Sequence, residues 1–314
     1  MPESARDVPP ALVIGGGGFI GSALRNRLTG LEVPVTVLSR SEPNAALSPN
    51  EQWVTGTLSD TALLADILKP GQDIYHLVSS SIPACGNWDV DNDIHNSVLP
   101  TVELLKLAVK AQARRVIFIS SGGTIYGPAA QVPTPEDSLP APITSYGASK
   151  LAIETYLRIF KHHHGLDYRA ARVANPFGPG QVPQRQQGVI ANLMYQALKG
   201  EPFQIWGDGS VARDFIHVDD VATALTEIAA HTGESTVFNI GSGQARTIKS
   251  IAQDIAKAIG DPDHPVVYNP SRSFDVPVNY LDITRLTTET GWKPQRDWNQ
   301  GLLETRDWIK SQKF

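Results

Sequence analysis

The segment "ALVIGGGGFIGSAL" near the N-terminus constrains the fold of this chain more than any other. It places Gly15, Gly18 and Gly21 after a short apolar run and at the start of an amphipathic stretch. In a strand–turn–helix unit the first glycine permits a tight turn, the second lets backbone approach a pyrophosphate, and the third lets the helix pack on the strand. We therefore predict a dinucleotide-binding loop, with Phe19 and Ile20 at the N-terminus of a helix that faces the phosphates. A merely flexible glycine-rich turn is the alternative, and the flanking strand and helix patterns argue against it.

Hydrophobic periodicity predicts the fold class. Through the first 175 residues, β-branched runs alternate with amphipathic helical stretches, which is typical of a parallel sheet covered by helices. The predicted strands lie near 11–15, 34–38, 52–54, 73–78, 115–120 and 168–173, and the clearest helices at 20–28, 61–68, 93–111 and 146–163. Shorter elements and turns follow. We predict an α/β fold with a Rossmann-type doubly wound parallel sheet in residues 1–175, and a smaller C-terminal substrate-binding lobe in residues 176–314 with some segments returning to the first.

Composition excludes several classes of partner. The 314 residues carry 27 Lys and Arg against 32 Asp and Glu, a formal net charge of -5, which gives no general attraction to nucleic acid or to an anionic membrane. No apolar run reaches the roughly 18 residues of a membrane span. The single cysteine, Cys85, excludes an intramolecular disulfide. We expect a cytoplasmic protein with a small-molecule ligand.

The end of the second predicted strand bears on cofactor choice. In "VTVLSR" the position that contacts the adenosine ribose is Ser39, followed by Arg40. An acidic residue there would repel a 2'-phosphate, whereas Ser39 removes the repulsion and Arg40 offers a cation. NADP is therefore admissible beside NAD; a solvated loop charge is the alternative for Arg40.

A tyrosine and a lysine in "SYGASKLAIETYL" are candidate catalytic groups. Tyr146 and Lys150 stand four residues apart at the start of a predicted helix, so their side chains share one face. An ammonium beside a phenol favours the phenolate, and we expect Lys150 to lower the pKa of Tyr146 toward the range of a general base. The loop "SSGGTIYG" would place strand-end hydroxyls on the same edge of the sheet.

Motifs along nearly the whole chain extend this pattern. They are "GGGGFIG", "HLVSSS", "SSGGTIYG", "YGASK", "RVANPFGPGQ", "VARDFIHVDDV", "FNIGSG", "RSFDVPVNYLDITR" and "TGWKP". In this order they resemble the extended short-chain dehydrogenase/reductase family, the NAD-dependent epimerases and dehydratases of nucleotide sugars, and within it the UDP-hexose 4-epimerases.

The resemblance implies a reaction. Tyr146 would take the proton of a sugar hydroxyl while the nicotinamide takes hydride from the same carbon, and Lys150 would hold the nicotinamide ribose. The transient 4-keto sugar would turn in the pocket and take hydride back on its other face. The implied activity is 4-epimerisation of a UDP-hexose or UDP-N-acetylhexosamine with tightly bound NAD(P).

The resemblance also implies which residues bind the substrate. The diphosphate and base would be gripped by Asn175, Arg213 and Arg272, with Ser81 in the same site. Asn279 would limit the size of the sugar without clearly selecting or excluding an N-acetyl group. Ion pairing of Arg213 with Asp214 or Asp219, and an exposed loop position for Arg272, are the alternatives.

Departures from the family pattern also matter. The loop has no carboxylate of the kind that serves dehydratases and decarboxylases, so both activities are disfavoured. The usual catalytic Ser or Thr is replaced by Gly122. Thr124 and Ser121 are the candidate substitutes, and Thr124 is favoured. In "HNSVLPT", Ser97 stands at the place of a usual asparagine, with Asn96 one position earlier.

Rival functions remain open. An NADPH-dependent nucleotide-ketosugar reductase would suit Ser39 and Arg40, and a non-catalytic dinucleotide-binding sensor would tolerate Gly122. The resemblance implies a homodimer through the helices at 93–111 and 146–163. We predict no metal site: "KHHHG" reads as a helix end capped by Gly165, and the aspartates of "HVDD" read as caps of the next helix.

Overall fold

A computed structural model describes residues 8–43, 45–79, 90–183, 187–271 and 276–312. Within these ranges a seven-stranded parallel sheet forms the centre of the first lobe. The strands are β1 Ala11–Ile14, β2 Val35–Ser39, β3 Glu51–Thr55, β4 Asp73–His76, β5 Arg115–Ser121, β6 Asp167–Val173, β7 Asn175–Phe177, β8 Phe203–Trp206, β9 Ala212–His217, β10 Val237–Ile240, β11 Ala245–Thr247, β12 Val266–Asn269 and β13 Val278–Asn279. The helices are α1 Phe19–Gly30, α2 Thr61–Ile67, α3 Val90–Asp93, α4 Leu99–Lys110, α5 Ser145–His164, α6 Val189–Leu198, α7 Val218–Ala230, α8 Ile248–Ile259, α9 Thr284–Thr290 and α10 Trp298–Ser311.

The strand order of the central sheet locates the ligand cleft. The order is β10-β6-β5-β4-β1-β2-β3, so the chain runs outward from β1 in both directions. Such a reversal next to β1 opens a crevice at the carboxyl ends of the strands, where ligands bind in doubly wound folds. Helices α1 and α7 cover one face and α2, α4 and α5 the other, burying nearly continuous apolar strands. The predicted Rossmann-type fold is confirmed.

The second lobe is built around β9. Strands β7, β11 and β13 all pair with β9, and β8 pairs with β12 in a separate small sheet. Helices α6, α8 and α10 supply the apolar core of this lobe, through Met194, Ile251 and Leu302 among others. Strand β9 contributes Phe215 to this core and Ile216 to the core of the first lobe, so it lies between the two.

The amino ends of β5 and β6 are fastened to the end of α7. Arg115 donates to the carbonyls of Ala229 and His231, and Arg169 donates to His231 as well. Both arginines pair with Asp167. Cations at the C-terminal carbonyls of a helix are favourable, so this network stabilises α7 against the sheet.

The predicted helix at 93–111 is divided in the structure. A π-helical turn, Ile94–Val98, separates α3 from α4. The reason is Pro100, which has no N–H to donate and whose ring excludes a normal α-helical bond to the preceding turn. The hydroxyl of Thr101, the next residue, donates to the carbonyl of Ser97 at 2.6 Å and so gives one carbonyl of the π-helical turn a side-chain donor. The other predicted strands and helices of the first lobe match to within two residues at each end. None of the described helices is long and apolar enough to span a bilayer.

Candidate active site

The glycine loop has the geometry that its spacing predicts. Gly15 has a φ of 87°, a left-handed conformation that favours glycine, and Gly18 lies at the N-cap of α1. A Cβ on Gly21 would lie 2.3 Å from the Gly15 carbonyl oxygen, so only glycine allows this packing of α1. The N–H groups of Phe19 and Ile20 belong to the first turn of α1, where N–H groups lack acceptors within the helix. The loop therefore fits a dinucleotide pyrophosphate.

The end of β2 lies beside this loop. A Cβ on Gly17 would meet the Ser39 hydroxyl at 2.6 Å, which places Ser39 against the glycines. Arg25, the other arginine in this corner, pairs with Glu51 at 2.7 Å and stacks on an indole. Arg40 is exposed and makes no ion pair with any residue that the structure describes. Its charge is therefore available to a ligand.

Helix α5 brings the tyrosine and the lysine together. The Thr144 side chain caps the helix by accepting from Gly147 at 3.1 Å, which fixes where α5 begins. Lys150 is buried, its Nζ lies 5.5 Å from the Tyr146 ring centroid, and it donates to the Ile119 carbonyl at 2.8 Å. The two predicted groups therefore meet at the carboxyl end of β5.

The protonation of this pair differs from expectation. Burial raises the pKa of Tyr146 to about 12, against a hydrogen bond from Ser121 that lowers it. Burial also lowers the pKa of Lys150 to about 8, although Glu154 and Asp93 act in the opposite direction. The expected decrease in the pKa of Tyr146 is not found, because removing the phenol from water raises this pKa by more than the hydrogen bond from Ser121 lowers it.

Two hydroxyls of the loop after β5 have different surroundings. Ser121 hydrogen-bonds to Tyr146. The Thr124 hydroxyl is shielded from water and has no hydrogen-bond partner among the described residues. A Cβ on Gly122 would lie 2.4 Å from Cδ1 of Leu281, so a side chain at this position requires Leu281 to move.

Behind the loop lies a buried polar network that the sequence reading missed. Glu154, one turn after Lys150 on α5, pairs with Arg172 at 2.7 Å and accepts from Ser120 at 2.5 Å. Arg172 also donates to the Tyr126 hydroxyl at 2.9 Å. Helical spacing alone would have put Glu154 on the face of Lys150. The network joins α5, β6 and the loop after β5.

Three predicted substrate residues lie on adjoining strands. Asn175 on β7 donates to the Asp214 carbonyl at 2.9 Å. Arg213 on β9 donates to the Val276 carbonyl at 2.6 Å. Asn279 on β13 is buried, pairs in register with Arg213, and has its Nδ2 3.5 Å from the Gly123 carbonyl oxygen. Asn279 therefore connects these strands to the loop after β5. The predicted residues Ser81 and Arg272 lie outside the described residues, as does Cys85.

The aspartates of "RDFIHVDD" have structural partners. Asp214 is fully buried and accepts from the backbone and hydroxyl of Ser242 at 2.8 and 2.6 Å, and from the Leu281 N–H at 3.3 Å. Asp219 pairs with Arg296 at 2.6 Å. Asp214 therefore orders the "GSG" turn and the segment that packs on Gly122.

The end of β9 caps the following helix, α7. The N-cap of α7 is His217, whose Nδ1 accepts from the Asp219 N–H at 3.3 Å, so the prediction that the aspartates cap this helix is wrong. His217, Asp219 and Glu304 bring metal-type ligand atoms within 4.8 Å of one another. The guanidinium of Arg296 donates to both carboxylates and supplies the positive charge there. The predicted cap at Gly165 is confirmed, with a φ of 70°.

Comparison with known proteins agrees with this geometry. The NAD dependent epimerase/dehydratase family matches residues 11–241. A UDP-glucose 4-epimerase of Mycolicibacterium smegmatis is 34% identical over 96% of this chain and 98% of its own length. A dTDP-4-dehydro-6-deoxyglucose reductase of Escherichia coli is 30% identical over 93% and 94%. The structure of a UDP-glucose 4-epimerase of Thermotoga maritima with UDP-glucose superposes with a TM-score of 0.89 at 32% identity, over 96% of this chain and 98% of that one. This chain is a member of the NAD dependent epimerase/dehydratase family.

Proposed function

We propose that this protein is a nucleotide-sugar 4-epimerase acting on a UDP-hexose or UDP-N-acetylhexosamine. The observation that carries the proposal is the strand-end site in which Ser121 hydrogen-bonds to Tyr146 and the buried Lys150 lies 5.5 Å from the centre of the tyrosine ring. The loop "SSGGTIYG" offers hydroxyls and backbone but no carboxylate. Eliminating water from a sugar needs an acid and a base beside the leaving hydroxyl, whereas epimerisation at one carbon needs a single proton acceptor that later returns the proton.

The residues of the site have distinct roles in this proposal. Tyr146 removes the proton of the sugar hydroxyl on its phenolic oxygen and returns it after the ketose has turned. The hydrogen bond from Ser121 favours the phenolate, against the burial that disfavours it. The ammonium of Lys150, 5.5 Å from the ring centroid, would favour the phenolate as well. Bound NAD(P) supplies the acceptor and then the donor of hydride at the sugar carbon.

The hydroxyls of Ser121 and Thr124 have different roles in the proposal. The contact with Tyr146 supports Ser121 as the residue that aligns the phenol. Thr124, favoured from the sequence, has a shielded hydroxyl with no partner among the described residues, which suits it to pair with a polar group of the substrate. Asn175 and Arg213 would hold the nucleotide diphosphate. The family resemblance adds Arg272 as a ligand of the diphosphate and base, and Ser81 in the same site. Asn279 would border the sugar.

Cofactor choice is part of the proposal. The residues that would hold the dinucleotide are Gly15, Gly18, Gly21 and the first turn of α1, with Ser39 at the adenosine ribose. NAD is proposed as the cofactor, with NADP admissible because Arg40 is exposed and unpaired within the described residues. Ser39→Asp is expected to abolish NADPH binding, measured by nucleotide fluorescence, and to leave NADH binding within a few-fold. Equal loss of both would contradict this role for Ser39.

A second candidate function is an NADPH-dependent nucleotide-ketosugar reductase. Arg40 favours it, and the E. coli relative named as a reductase matches over nearly the full chain. A reductase consumes one NADPH for each product, whereas an epimerase shows no net consumption because the hydride returns to the sugar.

The assembly and location are proposed with the activity. The outward faces of α4 and α5 expose Leu99, Tyr156 and Ile159 by 48%, 38% and 42%, which suits a homodimer through these helices. Sedimentation of Ile159→Glu is expected to give a monomer; an unchanged mass would contradict this interface. A cytoplasmic location is proposed from the single cysteine of the sequence.

The decisive experiment is proton NMR of the purified protein with UDP-glucose, UDP-galactose and their N-acetyl forms. The expected result is interconversion of a 4-epimer pair, with no net change in NAD(P)H absorbance. Tyr146→Phe is the matched control, since it keeps the ring and removes the proton acceptor. Stoichiometric NADPH oxidation with a 4-keto sugar, and no interconversion of the four substrates, would overturn the proposal in favour of the reductase.

A further inference from the structure

Arg246 is an arginine that the sequence reading did not single out. It lies on β11, directly opposite Arg213 in the antiparallel pair of β11 with β9. Residues in such positions have Cα atoms about 4.5–5.5 Å apart and share one face of the sheet. Like charges directly opposite each other destabilise a strand pair. A bound anion would be attracted to both guanidinium groups.

The position of Arg246 is fixed by an indole. Its Cζ lies 4.1 Å from the Trp298 ring centroid, and the Trp298 Nε1–H donates to Asp254 at 2.9 Å. No hydrogen bond or ion pair of the Arg246 side chain is found with the residues that the structure describes. Stacking on an aromatic face leaves the N–H groups at the edge of a guanidinium available. Arg246 is therefore an ordered, half-buried cation with unused donors.

The same indole locates Arg246 relative to Arg213. The ring centroids of Trp298 and Phe215 are 6.5 Å apart, and Phe215 lies two residues after Arg213 on β9. Alternate residues of a strand lie on the same face, so Phe215 and Arg213 share a face. Trp298 thus holds Arg246 on the side of the sheet where Arg213 lies.

These residues form a row that begins at the loop after β5. Asn279 pairs with Arg213, and Arg213 pairs with Arg246, across three neighbouring strands. Asn279 contacts Gly123 of the loop, so it marks the end of the row nearest the chemistry. Since strands lie about 4.8 Å apart, Arg246 is roughly 10 Å beyond Asn279. In the proposed function Asn279 borders the sugar and Arg213 holds the diphosphate, so the nucleoside would lie further along this row, toward Arg246.

We propose that Arg246 is a further arginine ligand of the nucleotide diphosphate, in addition to Arg213 and Arg272, and that it lies on the nucleoside side of Arg213. The inference rests on the proposed function for its ligand class, a nucleoside diphosphate. A guanidinium binds phosphate oxygens through two parallel hydrogen bonds. Because Trp298 already orders the side chain, little rotamer freedom is lost on binding.

Isothermal titration of UDP into the full-length protein tests this assignment. Arg246→Met keeps the aliphatic contact with Trp298 and removes the charge. Arg246→Lys keeps the charge but removes the planar guanidinium that makes two parallel hydrogen bonds. Lys249→Met, an exposed position on α8, is the control for the same loss of charge outside the site. The expected result is weaker UDP binding by roughly 10- to 100-fold in Arg246→Met, an intermediate loss in Arg246→Lys, and no change in Lys249→Met.

The outcomes separate this inference from the proposed function. UDP binding by Arg246→Met within twofold of the unsubstituted protein, with a lower unfolding temperature, would reduce Arg246 to a packing partner of Trp298, even if UDP-sugars are interconverted. A loss of UDP binding in Arg246→Met without any interconversion by the unsubstituted protein would keep the inference and overturn the epimerase. Failure of the unsubstituted protein to bind UDP would overturn both.

Discussion

Leu281 packs against Gly122, the position at which the family resemblance implies a catalytic Ser or Thr. A Cβ at Gly122 would lie 2.4 and 2.9 Å from the two δ carbons of Leu281, which is fully buried. Leu281 is held in place by its N–H, which donates to the buried Asp214. A residue from the C-terminal part of the chain thus determines which side chains the loop after β5 can use.

Restoring a side chain at this position is expected to destabilise the protein. Gly122→Ser should lower the free energy of unfolding by about 1–3 kcal/mol, the usual range for overpacking, measured by urea denaturation. Gly123→Ser is the matched control, because a Cβ there comes no closer than 3.9 Å to its nearest neighbour.

A double-mutant cycle identifies the clash. Leu281→Ala alone should cost about 2–5 kcal/mol, but Gly122→Ser with Leu281→Ala should be more stable than the sum of the two changes, because the serine fills part of the cavity. Strict additivity would show that Leu281 is not what excludes a side chain at position 122.

The two loop hydroxyls are expected to affect turnover differently. Ser121→Ala should lower kcat by roughly 10- to 100-fold, because it removes the hydrogen bond that favours the phenolate of Tyr146. Thr124→Val should raise KM with a smaller effect on kcat, since its hydroxyl pairs with substrate in the proposal. Both constants are measured by a coupled epimerisation assay. The reverse pattern would exchange the two assignments.

The pH dependence of turnover is expected to report the protonation of Lys150. Its pKa is lowered to about 8 by burial, so the ammonium loses its proton as pH rises through 8 and the phenolate of Tyr146 loses a stabilising charge. The profile of kcat/KM should therefore fall on the alkaline side near pH 8. Glu154→Gln removes a charge that raises this pKa and should move the limb to lower pH. Glu103→Gln, at an exposed carboxylate on α4, should leave the limb in place; a limb unmoved by Glu154→Gln would contradict the assignment.

Acid stability is expected to depend on Asp167. Burial raises the pKa of Asp167, but Arg169 and Arg115 lower it by more, to about 2, below its ordinary value of 3.8. Between these pH values the unfolded chain binds more protons, so the contribution of Asp167 is complete above about pH 4 and disappears as pH falls through 2. Urea denaturation from pH 7 to 2 should show a shallower decline for Asp167→Asn. Asp66→Asn, at an exposed position on α2, should follow the unsubstituted protein, and identical slopes for all three would refute the prediction.

Much of the first lobe could be predicted because its signals are local. The spacing of Gly15, Gly18 and Gly21 is required by a turn, a cap and a close packing contact that involve neighbouring residues only. The four-residue spacing of Tyr146 and Lys150 placed both on one helix face for the same reason. Pro100 shows where prediction from local patterns fails. The apolar periodicity of 93–111 predicts one continuous helix, but the backbone hydrogen bonding changes within it.

Other features required residues that are distant in sequence. The pairing of Glu154 with Arg172 joins α5 to β6, and the indole under Arg246 comes from α10. The capping of α7 by His217 instead of an aspartate was missed because Asp219 is engaged by Arg296, which lies 77 residues later. No pattern within a single segment carries these contacts.

The sequence by itself therefore determined the central sheet, the dinucleotide loop and the presence of a tyrosine and lysine on one helix, because turn geometry and helical or strand periodicity depend on adjacent residues. Only the tertiary structure decided the pKa of Tyr146, the contact of Ser121 with it, the closure of position 122 by Leu281 and the placing of Arg246 opposite Arg213. Burial and cross-strand register set these properties, and both depend on how distant segments pack.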